Sequence, residues 1–246
     1  MHRLLTLIVP TLCAVSLYGA QVTGCSASLT VDGTTYTTFG IEASATGCAI
    51  NGTFSNPSAG YTVTVTASTQ SDPVIDFGMN FADGSTDPVV TLTISTPYTG
   101  GPFSTITTSG SGNLTDSDFS GSASALPQSG GDIELVKVNG VTVSTASPQN
   151  PGCSFSGTPG FTQPACGSAT SQQTDGSFPT TGTLELDVAF ILSAGDSYNL
   201  TGSASFNSAP EPATGVLLGA GLAAIAALAR RRRQTAATAV SRRSNV

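Results

Sequence analysis

Hydrophobic and polar side chains alternate strictly along three segments of the chain, residues 61–69 (YTVTVTAST), 89–95 (VVTLTIS) and 183–193 (TLELDVAFILS). Successive side chains of a β-strand point to opposite faces of the sheet, so a period of two predicts half-buried antiparallel strands. In the third segment this pattern places Glu185 and Asp187 together on the outer face. Outside the chain termini, no segment shows the 3.6-residue period of an amphipathic helix.

Two turns and the segments around them complete the predicted fold. Asn139-Gly140 separates IELVKV from VTVST and is the preferred sequence for a type I′ hairpin turn. The third alternating segment is followed by a Gly-Asp turn and by a further strand, SYNLTGSASF. Roughly nine to eleven short strands over residues 21–208 predict one all-β domain, a single antiparallel β-sandwich or jelly roll. Residues 146–182, rich in Pro, Gly and Ser, are predicted to form a long loop and are the best candidate for a functional loop.

The first twenty residues are typical of a secretory signal peptide. They contain one arginine, an apolar stretch from Leu4 to Leu17 that is too short to span a bilayer comfortably, and small residues at Gly19-Ala20. We therefore expect export and cleavage after Ala20. An alternative remains open, because VTGC at Val22–Cys25 resembles the lipobox of bacterial lipoproteins, which would make Cys25 a lipid anchor.

Removal of the signal peptide also removes Cys13 and leaves an even number of cysteines, Cys25, Cys48, Cys153 and Cys166. An even number in an exported chain predicts two disulfides. Four cysteines permit three pairings, of which Cys25–Cys48 with Cys153–Cys166 is the most local. Lipidation of Cys25 would leave an odd thiol.

Charge is distributed very unevenly along the sequence. Residues 21–208 contain fourteen carboxylates and a single base, Lys137, which gives a net charge of −13. Such a body repels phosphate backbones, so nucleic acid is not an expected partner. Near the C-terminus, Ala213–Ala229 contains no charge and would span about 25 Å as a helix, at the lower limit for crossing a bilayer. It ends at the stop-transfer residues Arg230, Arg231, Arg232 and Arg233, which would stay cytoplasmic.

The segment before this apolar stretch is Pro210-Glu211-Pro212. Together with the Gly/Ala/Leu helix and the arginine cluster, it resembles the PEP-CTERM sorting signal of exported proteins of Gram-negative bacteria, which is recognised by exosortase, an integral-membrane transpeptidase-like enzyme. The resemblance covers residues 209–233 and implies a protein that is first anchored in the inner membrane with its ectodomain outside the cytoplasm. It further implies cleavage at or near the PEP motif and transfer of the body to the cell surface or an exopolysaccharide matrix. Residues 234–246 are then a cytoplasmic tail.

The composition of the chain excludes most kinds of catalytic site. The only histidine is His2, within the signal peptide, and residues 21–208 contain no Arg and no Trp, which excludes Ser-His-Asp, Cys-His and His-based zinc sites. A carboxylate pair, as in glycoside hydrolysis, is the remaining enzymatic arrangement. The candidate pairs are Asp72 with Asp76, Asp83 with Asp87, Asp116 with Asp118, and Glu185 with Asp187. A solvated acidic surface is the preferred interpretation.

The carboxylates in the predicted loops are better suited to binding calcium than to catalysis. MNFADGSTD and NLTDSDFSG place Asp83, Asp87, Asp116 and Asp118 in turn-rich segments where oxygen ligands could converge, although neither follows the EF-hand pattern. No other cofactor is expected. The sequence therefore predicts an exported, non-enzymatic surface or matrix protein with a structural or adhesive role, contacting polysaccharide through tyrosines and polar loop groups. The alternatives are a carboxylate-dependent extracellular glycan hydrolase and a lipoprotein anchored at Cys25.

Overall fold

The computed structural model describes residues 24–70, 72–82, 86–128, 131–146, 152–157, 162–163 and 172–208. These residues form sixteen β-strands. The strands are β1 (Ser26–Val31), β2 (Thr34–Tyr36), β3 (Gly40–Ala43), β4 (Gly47–Asn56), β5 (Tyr61–Gln70), β6 (Val74–Ala82), β7 (Val89–Thr99), β8 (Phe103–Thr115), β9 (Ser122–Pro127), β10 (Glu134–Val138), β11 (Val141–Ala146), β12 (Cys153–Ser156), β13 (Thr162–Gln163), β14 (Gln172–Phe178), β15 (Thr181–Leu192) and β16 (Ser197–Ser208).

The strands form two antiparallel sheets. The first sheet has the order β11-β10-β15-β7-β1-β2, with β9 paired to the end of β15 and β12 paired to β9. The second sheet has the order β13-β8-β16-β6-β5-β4-β3, and β14 also pairs with β8. In the described part of the chain, no helix is long and apolar enough to cross a membrane. The predicted signal peptide (residues 1–20) and membrane helix (213–229) lie outside the described residues.

The apolar faces of the two sheets pack against each other. In β15, the inward residues from Leu184 to Leu192 are fully buried, as the alternation predicts. Aromatic rings connect the sheets, with centroids 6.3 Å apart for Phe81 and Phe190 and 5.1 Å apart for Tyr98 and Phe206. The predicted all-β fold is therefore confirmed, and its two layers are those of a sandwich.

Both predicted turns are present, but one has a different role. The hairpin between β10 and β11 turns at Asn139 (φ 52°) and Gly140 (φ 80°), and a type I′ turn requires positive φ at both positions. The turn at Gly195-Asp196 instead takes the chain from β15 in the first sheet to β16 in the second. It is therefore a crossing between layers and not a hairpin within one sheet.

One prediction about the strands is wrong, and one long strand was not predicted. Residues 146–182 were expected to form a loop, yet β12, β13 and β14 lie within them. β8, the longest strand at 13 residues, is not evident from alternation because its inner face includes Gly110 and Gly112. In each case the neighbouring strand supplies the hydrogen-bond partners, so tertiary pairing outweighs the weak intrinsic β-propensity of Gly and Ser.

The two chain termini of the described body lie at the same end of the sandwich. β1 begins at Ser26, opposite Ser95, and β16 ends at Ser208, opposite Phe103. The Tyr98 ring, three residues beyond Ser95, lies 5.7 Å from the Phe103 ring, so both strand ends are at one level. We call this the terminal end. The opposite end, formed by the loops at residues 32–33, 116–121 and 193–196, is called the distal end.

Candidate functional site

The distal end brings together three carboxylates. Asp116 and Asp118 follow β8, Asp196 precedes β16, and the carboxylate oxygens lie within 4.8 Å of one another. These two loops meet because β8 and β16 are neighbours, with Thr115 opposite Ser197. Asp116 and Asp196 are buried, whereas Asp118 is exposed. We call this group the acidic cluster.

Hydrogen bonds to the acidic cluster hold the loop backbone. Asp116 accepts from the Ser120 N–H (3.0 Å) and the Gly121 N–H (2.9 Å). The Ser117 N–H donates to Asp196 Oδ1 (3.2 Å). Hydrogen bonds to charged acceptors are stronger than neutral ones, contributing about 1.5–3 kcal/mol each. The carboxylates therefore fix the conformation of the loop after β8.

This loop presents an aromatic side chain to solvent. Phe119 has a φ of 64° and is 69% exposed. A non-glycine residue in the left-handed region costs about 1–2 kcal/mol. The strained backbone of Phe119 is therefore kept in place by the hydrogen bonds that its neighbours Ser120 and Gly121 donate.

Carboxylate oxygens are the ligands that calcium prefers, and the acidic cluster is where the described residues could hold such an ion. Of the four predicted calcium candidates, the structure brings Asp116 and Asp118 together. Asp87 lies at the same end, but its Oδ1 accepts from the Ala194 N–H (2.9 Å). Asp83 lies outside the described residues. The sequence prediction missed Asp196, because only the pairing of β8 with β16 places the turn SAGDS beside Asp118.

The environment of Asp196 raises the pKa of its carboxyl. Desolvation by burial is the main cause, and the nearby carboxylates of Asp118 and Asp116 add to it. Hydrogen bonds from the Ser193 hydroxyl and the Ser117 N–H act in the opposite direction. A cation at the cluster would offset the repulsion among these three carboxylates.

The predicted pair Glu185 and Asp187 lies on the outer face of the first sheet, as the alternation implies. Lys137, on the adjacent β10, is ion-paired with both carboxylates, and its Nζ lies 3.0 Å from Glu185 Oε1. The Thr93 hydroxyl also donates to Asp187 Oδ1 (2.7 Å). Hydrogen bonds to Asp187 and then Glu185 raise the pKa of Lys137. One oxygen of Glu185 and both oxygens of Asp187 are thus engaged by Lys137 and Thr93.

A buried carboxyl in the core is not among the sites predicted from the sequence. Glu134 is fully buried, and within the described residues neither of its oxygens has a hydrogen-bond partner, nor does the buried Tyr198 hydroxyl. Its carboxyl faces Gly110 and Gly202 of the second sheet, where any Cβ would collide with it. Burial raises the pKa of Glu134 to about 9, so its carboxyl is neutral at pH 7. Burial and the proximity of Glu134 also raise the pKa of Tyr198.

The outer face of the second sheet is polar and almost uncharged. Across its five central strands, β4, β5, β6, β8 and β16, Asp76 is the sole charged residue. We call this surface the hydroxyl face; its polar side chains are Asn51, Thr53, Thr62, Thr64, Thr66, Ser68, Asp76, Asn80, Thr107, Ser109, Ser111, Asn113, Asn199, Thr201, Ser203 and Ser205. Cross-strand pairs of hydroxyls include Ser111 with Thr201 (2.9 Å). A depression of about 320 Å³ lies beside Gly78, which lacks a side chain.

The predicted role for tyrosines is wrong. Tyr61, Tyr98 and Tyr198 are all buried in the core. Tyr36 is half-buried, and its hydroxyl is bonded to that of Tyr61 (2.8 Å). In the described body these rings pack between the sheets, because burial of their apolar area outweighs the cost of enclosing the hydroxyl.

The structure contains the predicted disulfide between Cys25 and Cys48. This bond joins the start of β1 in the first sheet to β4 in the second, at the terminal end. Cys153 is also disulfide-bonded, and its predicted partner Cys166 lies outside the described residues. A cysteine sulfur in a disulfide cannot also carry a thioether-linked lipid, so the bond favours the disulfide prediction over the lipobox alternative.

The sorting residues Pro210, Glu211 and Pro212 and the four arginines lie outside the described residues. Residues 208–233 match the family model of the PEP-CTERM protein-sorting motif, which confirms the resemblance predicted from the sequence. No curated protein matches the chain. The motif implies export, membrane-linked sorting and processing by an exosortase-type enzyme. The carboxyl-terminal tail of this chain is a PEP-CTERM sorting motif, which supports the prediction that the protein is exported and sorted by exosortase.

Proposed function

We propose that the protein is a non-enzymatic component of the cell surface or extracellular matrix whose ectodomain contacts neutral polysaccharide through the hydroxyl face. Before processing, its tail holds it in the inner membrane with the ectodomain outside the cytoplasm. The observation that carries the polysaccharide contact is the hydroxyl face itself, five strands wide with a single carboxylate.

Hydrogen-bonding capacity supports this partner. Each Ser or Thr hydroxyl can both donate and accept a hydrogen bond, as can each sugar hydroxyl. The protein and the glycan can therefore form hydrogen bonds in several relative orientations. Neighbouring strands are about 4.8 Å apart and alternate residues about 6.8 Å apart, which gives a regular array. Once one contact with a polymer has formed, the effective concentration of the neighbouring sugars is high, so further contacts raise the overall affinity. Individually weak contacts are therefore sufficient to retain the protein on the polysaccharide.

Charge also favours a neutral polymer. Residues 21–208 carry −13, yet the hydroxyl face contributes only Asp76 to that charge. A neutral glycan can cover this surface without burying several unpaired charges, which would be costly. An acidic polysaccharide would be repelled by the body as a whole.

Substitutions in matched hydroxyl pairs test this contact. Ser111 on the hydroxyl face and Ser26 on the outer face of the first sheet are both exposed and bonded to a cross-strand hydroxyl, at 2.9 Å and 2.8 Å. Co-sedimentation of the mature protein with an insoluble neutral polysaccharide should fall about tenfold for Ser111→Asp, because a charge is buried, and remain unchanged for Ser26→Asp. Equal binding by both variants would contradict the proposed contact, and release of sugars by the parent would contradict a non-enzymatic role.

Mass spectrometry of the mature protein tests the sorting route. In a host that contains the exosortase-type enzyme, we expect the chain to begin near Gln21 and to end near Pro210. In a host without the enzyme, residues 230–233 should remain attached in the membrane fraction. An intact arginine cluster in the first host would be incompatible with processing.

A further inference from the structure

The folded body ends where the sorting motif begins. β16 extends to Ser208, the match to the motif starts at residue 208, and Pro210 follows two residues later. Two extended residues span at most about 7 Å. An active-site wall made of one helix or one sheet layer is about 10 Å thick. An enzyme that encloses Pro210 must therefore meet the sandwich.

The end of β16 is firmly held. Phe206 is buried, and its ring centroid lies 5.1 Å from that of Tyr98, 4.9 Å from that of Phe103 and 5.1 Å from that of Phe178. Its N–H also donates to the Pro73 carbonyl (3.0 Å). Only Asn207 and Ser208 could separate from the sheet without disrupting this aromatic cluster. Even then, Pro210 stays within about 14 Å of Phe206.

The surface beside this exit contains a groove with an apolar side. The groove, of about 520 Å³, lies between the β10–β11 hairpin and β14; Val141, Val143 and Phe178 form its apolar side, and Asn139 and Asp175 are among its polar residues. Val141 is 65% exposed, and Val143 and Phe178 beside it are only partly buried. Phe178 is opposite Phe103, which is opposite Ser208, so the groove lies two strand spacings, about 10 Å, from the exit of the chain.

We propose that the terminal end of the sandwich, centred on this groove, is the docking surface for the enzyme that cuts at the PEP motif. The proposal rests on the proposed sorting route and names the surface through which the enzyme recognises the folded body. The short reach from Ser208 to Pro210 brings the rim of the enzyme onto this end. The exposed valine and the half-buried phenylalanine supply apolar area that contact would bury.

Processing rates of the full chain test the proposal, measured by pulse-chase in a host that contains the enzyme. Val141→Asp should slow loss of the tail about fivefold or more. Phe119→Asp is the matched control, because Phe119 is similarly exposed but lies at the distal end, and its rate should equal that of the parent. Val141→Thr keeps the branched shape and the β-propensity of valine and should slow processing less.

A variant with a spacer before the motif distinguishes docking on the folded body from recognition of the tail alone. Insertion of a flexible Gly/Ser segment between Ser208 and Ala209 lets the enzyme reach Pro210 without contacting the body, so Val141→Asp should then be processed as fast as its spaced parent. Equal rates for Val141→Asp and the parent without a spacer would overturn the docking surface and leave the sorting route intact. A parent chain that is never processed would instead refute the sorting route.

Contact of the same end with lipid is the competing outcome. The mature protein released by the enzyme and its Val141→Asp variant should bind equally little to vesicles of zwitterionic phospholipid. Stronger vesicle binding by the parent than by the variant would show that the groove contacts the bilayer and would overturn the proposal.

Discussion

The two ends of the sandwich are stabilised by different kinds of interaction. At the terminal end, aromatic rings cluster around Phe206 and a disulfide joins the two sheets. At the distal end, the loops are held by hydrogen bonds from backbone N–H groups to Asp116 and Asp196, and the acidic side chains repel one another. Apolar packing involves no titrating group and no charge that salt can screen, whereas the distal arrangement depends on both.

This difference matches what each end has to do. The terminal end adjoins the start of the sorting motif, and the packing around Phe206 holds the end of β16 in place there. The distal end lies farthest from the tail and is free to respond to its surroundings. Substitutions that separate apolar from electrostatic contributions therefore test whether the two ends are independent.

Between the two ends lies Glu134, where we expect the largest effect. Its pKa is about 9 in the folded protein, against an ordinary value of 4.5 in the unfolded chain. Between pH 4.5 and pH 9, only the folded state therefore keeps the proton on this carboxyl. The contribution of Glu134 to stability is therefore greatest below pH 4.5, and it falls by about 1.4 kcal/mol per pH unit as the pH rises towards 9. Glu134→Gln should remove this fall in urea unfolding at pH 5, 7 and 9.

The surface variant Glu185→Gln is the control for this measurement, and it should keep the slope of the parent. If Glu134→Gln and the parent lose stability in parallel between pH 5 and pH 9, the buried carboxyl is not the source of the pH dependence.

The next largest effect distinguishes the ends directly. Phe206→Ala removes the central ring of the terminal cluster and should lower the free energy of unfolding by about 3–5 kcal/mol. Phe119→Ala at the distal end removes a ring that is 69% exposed and should change it by less than about 0.5 kcal/mol. Urea unfolding of both variants measures the difference, and comparable losses would mean that the distal ring also packs against the body.

The disulfide at the terminal end should have a somewhat smaller effect. Cys25 and Cys48 are separated by 23 positions, and loss of their bond by the double substitution Cys25→Ala and Cys48→Ala should lower stability by about 3 kcal/mol through the entropy of the unfolded chain. Thermal unfolding under non-reducing conditions provides the measurement. A double variant as stable as the parent would indicate that the aromatic cluster alone joins the sheets at this end.

The smallest effect is expected at the acidic cluster. Asp118→Asn removes an exposed charge that raises the pKa of Asp196, so it should stabilise the fold by about 0.5 kcal/mol or less at pH 7 and low salt. Added calcium chloride distinguishes the two roles of the cluster, because a bound ion would make the parent the more stable of the two. Destabilisation of the variant without calcium would show that the hydrogen bond from the Ser120 N–H to Asp118 Oδ1 (2.8 Å) outweighs the repulsion.

Alternation alone was sufficient to predict much of the sandwich. It identified β5, β7 and β15 together with the face that each one buries, because their inward positions are large and apolar. It failed for β8, where Gly110 and Gly112 occupy inner positions between Ile106 and Leu114 and accommodate Glu134 and Tyr198 from outside that strand. Glycine at inner positions weakens the apolar alternation by which a strand is recognised.

The candidate sites divide in the same way. Asp116 and Asp118 are close in sequence and were predicted, whereas Asp196 joins them only through strand pairing. Glu134 could have been found, because IELVKV places it on the same face as Val136 and Val138. A charged carboxylate at an inner position would be costly, and the raised pKa of Glu134 allows its carboxyl to be buried in the neutral form.

β16 has a mechanical consequence for a protein held in a matrix. It is paired on both sides, with β8 and with β6, and it is the strand that continues into the tail. Tension between a glycan on the hydroxyl face and the membrane would act along this strand and load its hydrogen bonds in shear, so that they resist together and do not open one by one. Until the tail is cut, the strand that continues into the sorting motif is therefore also the strand best placed to bear force.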